Sequence, residues 1–352
     1  MAGEDAIAII GAGPAGAAAA SVLAGKGFAV RVYEANRRLG AKPCGKGIPS
    51  IGDLPVRIPR DSIVRRIKGA VLYVNGSLAF DVEEGLEGVI VDKERMLEAM
   101  IAESGADLIR GAVFKPSKGA VRIGAKYFEV KRGLLAGGHA FYPGETINAL
   151  QYRLKSPMFE NLDKLLIYFD TWLIGYYYIF PGPSNEADVG VGGFARFNDL
   201  QALLDKFIKT SEYTRNAVIL KREGARIAVG GVKLGTTGGL PRIGEAAGFV
   251  LPLTGEGIRP SMISGAVAAE ALASGRNPLD SMDKSSIARG IRVQRRILEK
   301  VKSMSPERRA ELLKSIPAEA HAMIALGKID RGSLVKVLAR HPRLLARIIS
   351  LL

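Results

Sequence analysis

The sequence has little of the chemistry that binds metals or forms disulfides. Its 352 residues include one cysteine, Cys44, and three histidines, at positions 139, 321 and 341. A single cysteine excludes an intramolecular disulfide and a cysteine-rich zinc site. No histidine has a cysteine or an acidic cluster beside it in the sequence. We therefore predict no metal site.

Long hydrophobic runs and targeting signals are also lacking. The N-terminus has no basic segment of the kind that opens a secretory signal. Residues 6–25 are uncharged, but most are alanine and glycine with one proline, so their transfer into a bilayer is weakly favoured. No other stretch reaches about 18 uncharged apolar residues. We expect a cytoplasmic protein, and a peripheral position on the inner face of a membrane stays open.

Acidic residues are outnumbered, since 50 Lys and Arg face 35 Asp and Glu for a net charge of +15. Residues 281–352 hold 16 of the basic and 6 of the acidic residues. This tail predicts helices over 286–304, 306–315 and 317–326, followed by two short ones. In the last helix Arg340, Arg343 and Arg347 share one face. That face suits an anionic membrane or is the solvated side of an ordinary amphipathic helix. The basic residues have no interleaved aromatics, which disfavours nucleic acid.

Glycine is abundant, at 42 of 352 residues or about 12% against a usual ~7%, and several glycines form a dinucleotide-binding fingerprint. A predicted strand over 5–10 leads into Gly11-Ala12-Gly13-Pro14-Ala15-Gly16, an alanine-rich helix and a second strand over 29–33. Gly11 permits the tight turn, Gly13 lets the backbone approach a pyrophosphate, and Gly16 allows close helix–strand packing. Glu34, followed by Ala35, is placed to accept hydrogen bonds from ribose hydroxyls. The alternative is a glycine-rich helix start that binds nothing.

The cofactor predicted from this arrangement is FAD rather than NAD. A nicotinamide-dependent dehydrogenase continues with more strand–helix units, whereas here loop and strand patterns follow Gly40, with strands over 70–74 and 77–82. The next clear helix covers 93–104. No second glycine fingerprint appears in a strand–turn–helix setting.

Beyond the fingerprint, four further motifs resemble the geranylgeranyl reductase family, a branch of the flavoproteins that includes p-hydroxybenzoate hydroxylase. The resemblance spans residues 6 to about 275. Its motifs are KPCGKGI at 42–48, ALQY at 149–152, YYYIFP at 176–181, and IGEAAG at 243–248 followed by PLTGEGI at 252–258. Three positions depart from the family pattern: Tyr178 replaces a tryptophan, Glu245 replaces an aspartate, and Gly137 stands where the wider group has aspartate.

The resemblance implies an α/β fold with a discontinuous Rossmann-like FAD-binding domain over 1–69, 86–140 and 232–275. An antiparallel β-sheet substrate domain over 70–85 and 141–231 is inserted into it, and 276–352 form a basic C-terminal helical region. The residues expected to hold FAD are Gly11, Gly13, Pro14, Ala15, Gly16, Glu34, Ala35, Cys44, Gly45, Lys93, Gly244, Glu245, Gly255, Glu256, Gly257 and Ile258.

The substrate side is predicted from an aromatic-rich segment with candidate strands over 147–154, 164–169, 173–180 and 187–193. Alternation places Tyr176, Tyr178 and Phe180 on one face and Tyr177 and Ile179 on the other. Either one of these faces lines an apolar pocket, or both faces belong to the core of a β-sandwich. Only the resemblance favours a tunnel for an isoprenoid chain. The residues expected to bind substrate are Gln151, Tyr152, Tyr176, Tyr178, Phe180 and Pro181.

Two features bear on the chemistry. Cys44 lies between Lys42 and Lys46 and beside Gly45. It is either a reactive thiol next to the flavin or a small buried apolar residue with no chemical role. The apolar run 258–273 predicts a helix beginning near Glu256. The backbone N–H groups at this helix start are placed to stabilise negative charge on a reduced flavin. The alternative is an ordinary helix start after a glycine loop, with no ligand.

The resemblance implies an FAD-dependent reductase that hydrogenates carbon–carbon double bonds of geranylgeranyl chains in membrane-lipid precursors. Cys44 or Tyr178 is the expected proton donor. The sequence leaves the electron donor open among NADPH, NADH and ferredoxin. Two other functions share the fold: an FAD-dependent monooxygenase of an apolar substrate, and a membrane-docked flavoprotein that passes electrons to a partner.

Overall fold

The computed structural model describes residues 6–82 and 87–329. The predicted helix with Arg340, Arg343 and Arg347 lies outside them. The strands in chain order are β1 (Ile7–Ile10), β2 (Val30–Glu34), β3 (Gly47–Ile48), β4 (Ile63–Ile67), β5 (Ala70–Val74), β6 (Ser77–Val82), β7 (Gly88–Val91), β8 (Asp107–Arg110), β9 (Ala112–Lys115), β10 (Ala120–Ile123), β11 (Lys126–Glu129), β12 (Gly133–Leu135), β13 (Thr146–Lys155), β14 (Leu165–Phe169), β15 (Gly175–Pro181), β16 (Glu186–Gly193), β17 (Val218–Ala228), β18 (Thr236–Thr237) and β19 (Leu240–Pro241).

Eight α-helices of the described residues carry most of the remaining packing surface. They are α1 (Pro14–Gly25), α2 (Lys93–Ser104), α3 (Phe197–Thr210), α4 (Ile258–Ala273), α5 (Pro278–Asp283), α6 (Ser286–Ser303), α7 (Pro306–Ser315) and α8 (Ala318–Ala325). The sequence patterns predict all of these except α3 and α5. They also miss the strands β3, β4, β7 to β12, β18 and β19. The strand β17 is missed as well, because its residues are mostly exposed and show no apolar alternation.

A parallel four-stranded sheet, in the order β12-β1-β2-β8, forms the centre of the Rossmann-like part. All four residues of β1 are buried, because Ile7 and Ile9 pack with α1, which is itself covered by α4, while Ala8 and Ile10 pack with residues of β9 and β10. The two helices approach closely at Gly265, where an added Cβ would lie 2.2 Å from the carbonyl oxygen of Ala15. Helix α1 begins at Pro14, three residues earlier than its alanine run suggests.

The larger sheet has seven strands in the order β17-β13-β16-β15-β14-β5-β6. Its pairs are antiparallel except β5 with β14, whose residues come from two distant parts of the chain. One face packs against the amphipathic helix α3, through Leu200, Leu204 and Ile208. The other face points toward the Rossmann-like part and the last helices.

The C-terminal helices close the open side of this sheet. Ala322 of α8 and Leu326, which follows the helix, pack with Leu72 and Val82 of the sheet. Helix α6 is anchored by an ion pair between Arg295 and Glu145, at 2.6 Å. The described residues include no helix that is long and apolar enough to cross a membrane. The predicted α/β class, with a Rossmann-like part, a largely antiparallel sheet and C-terminal helices, is confirmed.

Candidate functional site

The glycine turn after β1 leaves an opening at the start of α1. Gly11 has φ +104°, and a Cβ there would lie 2.4 Å from the carbonyl oxygen of Ala136. Gly16 is equally crowded, since its Cβ would lie 1.9 Å from the carbonyl oxygen of Gly11. Gly13, by contrast, would project a Cβ into open space, with nothing within 4 Å. The free backbone N–H groups at this helix end favour an anion in that space.

Glu34 closes the turn from the second strand. Its Oε2 accepts a hydrogen bond from the backbone N–H of Ala12 at 2.9 Å, and its Oε1 accepts one from the N–H of Asn36 at 2.8 Å. The side chain is thereby held across the glycine turn, and both Glu34 and Ala35 line the adjoining cavity.

The segment with Cys44 forms the next part of the cavity wall. Cys44 is half-buried and lines the cavity, and its Sγ accepts a hydrogen bond from the N–H of Lys46 at 3.3 Å. Gly45 packs on the ring of Phe180, where an added Cβ would lie 2.6 Å from a ring carbon. Lys93 is 7% exposed, donates to the carbonyl oxygen of Lys42, and has its pKa lowered by burial.

Three aromatic side chains of β15 stand over this segment. The rings of Tyr178 and Phe180 lie 4.8 Å apart, and those of Tyr176 and Tyr178 lie 6.3 Å apart. The Tyr178 hydroxyl donates to Oε1 of Gln151 at 3.0 Å, and burial raises the pKa of Tyr178 well above its ordinary value. Tyr176 donates to the carbonyl oxygen of Thr254. These aromatic residues and Gln151 line the cavity.

Two residues predicted to bind substrate lie elsewhere. Tyr152 is 2% exposed and packs on the α3 face of the sheet, where its hydroxyl donates to Asp205 at 2.9 Å. Pro181 is buried at the end of β15 and does not line the cavity. Strand alternation explains both positions. Tyr152 directly follows Gln151 and Pro181 directly follows Phe180, so each points to the face opposite its cavity-facing neighbour.

The loop before α4 brings a second helix start to the same cavity. The helix begins at Ile258 with Gly257 as its cap, close to the predicted position, and Gly255 has φ +66°. Oε1 of Glu256 accepts from the N–H of Arg259 at 2.8 Å. Burial raises the pKa of Glu256 to about 7, although the Arg259 cation opposes this shift. The residues from Gly255 to Ile258 line the cavity.

A cavity of about 790 Å³ joins these parts. One end is the glycine turn and Glu34, and the middle is bounded by Cys44, Tyr178 and the start of α4. The other end is a chamber between the large sheet and the helices α6, α7 and α8. Its wall is mostly apolar and includes Leu72, Ile167, Val301, Leu313, Ile316 and Ile324, with Asp170, Thr171, Arg309 and His321 as its polar residues.

Known proteins with this arrangement are reductases and flavoproteins. A family model described as an NAD(P)-binding Rossmann-like domain matches residues 9–42. The digeranylgeranylglycerophospholipid reductase of Picrophilus torridus is 29% identical over 309 residues, which cover 75% of this chain and 76% of that one. A geranylgeranyl bacteriochlorophyll reductase-like protein from Thermoplasma acidophilum has a TM-score of 0.78 at 22% identity, over 99% of both chains. The resemblance to the geranylgeranyl reductase family is confirmed.

The fold is shared more widely. A flavoprotein/dehydrogenase from Cytophaga hutchinsonii has a TM-score of 0.67 at 15% identity, over 92% of this chain and 93% of that one. At such identity the likeness concerns the fold alone. Together with the fingerprint match, it supports a flavoprotein fold with a dinucleotide-binding domain.

The structure accounts for two departures from the geranylgeranyl reductase pattern. Glu245 binds the chain's own Lys42, whose Nζ lies 2.5 and 2.7 Å from the two carboxylate oxygens. Gly137 has no room for a side chain, because an added Cβ would lie 2.3 Å from the ring of Phe141. Phe141 therefore occupies the volume that an aspartate at 137 would need.

The sequence patterns do not single out a charged group next to the aromatic residues. Asp188, 2% exposed, accepts from Nζ of Lys46 at 3.0 Å and from Nε of Arg153 at 2.6 Å. The patterns also miss Arg259, which is 1% exposed and donates to Asp53 at 3.0 Å. A signal exists for both, since Asp188 is the one charge of the predicted strand 187–193 and Arg259 is one of two charges in the apolar run 258–273, and such charges are buried only with partners.

Proposed function

We propose that this chain is an FAD-dependent reductase that hydrogenates carbon–carbon double bonds of geranylgeranyl chains in membrane-lipid precursors. The observation that carries the proposal is the continuous cavity, which joins a dinucleotide-type glycine turn to a long apolar chamber. The chamber fits an isoprenoid chain, which has no polar groups to pair. The curated relatives named digeranylgeranylglycerophospholipid reductase support the same substrate class.

The residues present fit FAD. Gly13 and Gly255 leave space that a side chain would fill, and two helix N-termini face the cavity at Gly13 and Gly257. A pyrophosphate is stabilised at the first of these and an anionic ring system at the second. Glu34 is positioned for a ribose. FAD, when bound and reduced, supplies a hydride to a double bond.

The protein's part in the reaction is to position the chain, exclude water and supply a proton. The apolar chamber holds the isoprenoid chain, and the Tyr176, Tyr178 and Phe180 rings bound it near Cys44. An isolated alkene accepts a hydride poorly, so the proton arrives early or together with it. We assign this proton to the Cys44 thiol, because the hydroxyl of Tyr178 is engaged by Gln151 and its raised pKa makes it a weak acid. Tyr178 then positions the substrate.

A direct test uses the purified full chain. Its absorption spectrum reports bound flavin, and the dithionite-reduced protein is then incubated anaerobically with a geranylgeranyl lipid. We expect the lipid mass to increase in steps of two hydrogens. A reduced, flavin-containing protein that leaves the lipid mass unchanged contradicts the proposal. Oxygen consumption with a product one oxygen heavier indicates the monooxygenase instead. NADPH, NADH and reduced ferredoxin are then compared as electron donors.

A further inference from the structure

Two of the most exposed large apolar side chains lie on neighbouring turns of the large sheet. Trp172, in the turn between β14 and β15, is 77% exposed, and Leu78, just after the turn between β5 and β6, is 64% exposed. Strands β5 and β14 are adjacent and parallel, so both turns lie at the same end of the sheet. Single exposed apolar residues are common in soluble proteins, but a paired placement needs a reason.

Hydrogen bonds fix these turns in place. The N–H of Thr171 donates to Oδ1 of Asn75 at 3.0 Å, and Nδ2 of Asn75 donates to Oγ1 of Thr171 at 3.0 Å. Arg309 of α7 donates to the carbonyl oxygen of Thr171 at 2.6 Å. Thr171 is itself only 3% exposed. The backbone next to Trp172 is therefore well held, and the indole points to solvent from an ordered turn.

The turn with Trp172 is also part of the cavity wall. The residues on both sides of the tryptophan, Thr171 and Leu173, line the cavity, as do Phe169 and Arg309. The exposed indole thus belongs to a turn that forms part of the cavity wall. A lipid chain that moves from a bilayer into the chamber should have as little contact with water as possible. Contact between the bilayer and the protein at this turn would shorten the path through water.

The C-terminal region next to this turn has a net positive charge, although Glu307 adjoins Arg308 and Asp170 accepts from the N–H of Trp172. Arg308 is exposed and adjoins Arg309 in the first turn of α7, the helix that contacts Thr171. The described C-terminal residues 276–329 contain 12 Lys and Arg against 6 Asp and Glu. Basic residues close to an anionic bilayer strengthen binding to it.

From these observations we infer that Trp172 and Leu78 form a membrane-contact patch, through which the apolar chamber exchanges lipid with an anionic bilayer. Tryptophan is the residue that most favours the boundary between headgroups and acyl chains. The two side chains expose roughly 300 Å² together, well below the ~800 Å² per partner of a stable protein–protein interface. A bilayer needs no such area. The inference rests on the proposed lipid substrate and names the surface by which it enters.

Trp172 is the only tryptophan of the chain, so intrinsic fluorescence reports on the patch alone. The full chain is titrated with phosphatidylcholine vesicles, with and without phosphatidylglycerol. We expect the emission to shift to shorter wavelength with the anionic vesicles, to be quenched by bromine-labelled acyl chains, and to lose the shift at high salt. If the chain binds vesicles without a shift of the Trp172 emission, the membrane contact lies elsewhere on the protein and the inference is wrong. A shift that grows with protein concentration in the absence of vesicles indicates a second copy of the chain and also overturns it.

A matched pair of variants distinguishes membrane binding by this patch from binding by any exposed apolar surface. The test variant is Trp172→Ser with Leu78→Ser. The control is Val218→Ser with Ile219→Ser on β17, the opposite edge strand of the same sheet, where the side chains are 62% and 39% exposed. In co-sedimentation with anionic vesicles we expect the test variant to bind about tenfold more weakly and the control to bind like the original chain. Equal losses in both variants contradict the inference.

Reduction assays separate this inference from the proposed function. With lipid embedded in vesicles, the test variant should be slower by about the same factor as its binding, and with detergent-dispersed lipid it should match the original chain. If no form of the lipid is reduced by the original chain, the proposed function fails, while the fluorescence and co-sedimentation results still decide on the patch.

Discussion

Lys42 and Glu245, which are 203 residues apart in the chain, form a two-point ion pair in the wall of the cavity. The carboxylate side chain is 13% exposed, and its Oε1 also accepts from the N–H of Ala228 at 3.2 Å. The pair thus joins the Cys44 segment to the loop before α4. The Lys42 side chain is 32% exposed, so the pair is partly buried, and removal of Lys42 leaves the more buried Glu245 carboxylate without its cation, which is costly.

Replacing Lys42 therefore tests how much the pair contributes to the fold. We expect Lys42→Met to lower the free energy of unfolding by about 3 kcal/mol, because the Glu245 carboxylate loses its cation. The double variant Lys42→Met with Glu245→Gln should recover part of this loss. Urea unfolding gives the values. Lys68→Met is the control, since its pair with Asp163 is on the surface and such pairs contribute at most about 1 kcal/mol. Equal effects of the two single variants contradict the assignment.

Local signals in the sequence predict several helices and strands well. Helix α2 has the predicted bounds because Asp92 caps its start and Gly105, with φ +74°, ends it. The strands β5 and β6 are likewise predicted because a turn at Asn75 and Gly76 separates two apolar runs. Such signals lie within a few residues of the element that they define.

The contacts that build the site have no local signal. Lys46 and Asp188 are 142 residues apart, and neither residue type indicates the other. Helix α3 packs on the large sheet through Leu200, Leu204 and Ile208, and this contact is seen only in the tertiary structure. The predicted faces of β15 depend on strand alternation alone, and the structure places Tyr176, Tyr178 and Phe180 at the cavity and Tyr177 and Ile179 in the core against α3.

Two substitutions distinguish the roles proposed for Cys44 and Tyr178. Cys44→Ala removes the thiol proton and should slow lipid reduction by about 10²-fold or more, the usual contribution of a general acid. Tyr178→Phe keeps the ring and should slow reduction by roughly tenfold, through lost positioning. Single-turnover assays of the reduced protein measure both, and flavin absorbance confirms equal cofactor content. A larger loss in Tyr178→Phe reverses the two roles.

The crowding at Gly137 predicts an effect on stability. Gly137→Ala should lower the free energy of unfolding by about 1–3 kcal/mol, since its Cβ overlaps the ring of Phe141. Adding Phe141→Leu should relieve the overlap and recover part of the loss. Gly25→Ala is the control, because nothing lies within 4 Å of its Cβ, and alanine is the better helix former. Thermal unfolding compares the variants. If Gly137→Ala is as stable as Gly25→Ala, Phe141 does not fill this space.

The buried carboxyl of Glu256 makes stability depend on pH. Burial raises its pKa from 4.5 to about 7, with Arg259 opposing the shift and Asp53 supporting it. Between these pH values the folded chain binds more protons at Glu256 than the unfolded chain, so the contribution of Glu256 to the free energy of unfolding falls as the pH rises. The loss is complete above about pH 7 and amounts to roughly 3 kcal/mol.

Glu256→Gln is uncharged at every pH and removes this dependence. The free energy of unfolding of the variant, relative to the original chain, should therefore rise from pH 5 to about pH 7 and level off by pH 8. Comparing the two proteins cancels the titration of the other groups, provided that Arg259, Asp53 and the nearby Tyr176 keep their places. Urea unfolding at several pH values gives the difference, and the exposed Glu129→Gln is the control. Parallel curves for Glu256→Gln and the original chain show that Glu256 is ionised throughout this range, paired with Arg259 as an ordinary buried salt bridge.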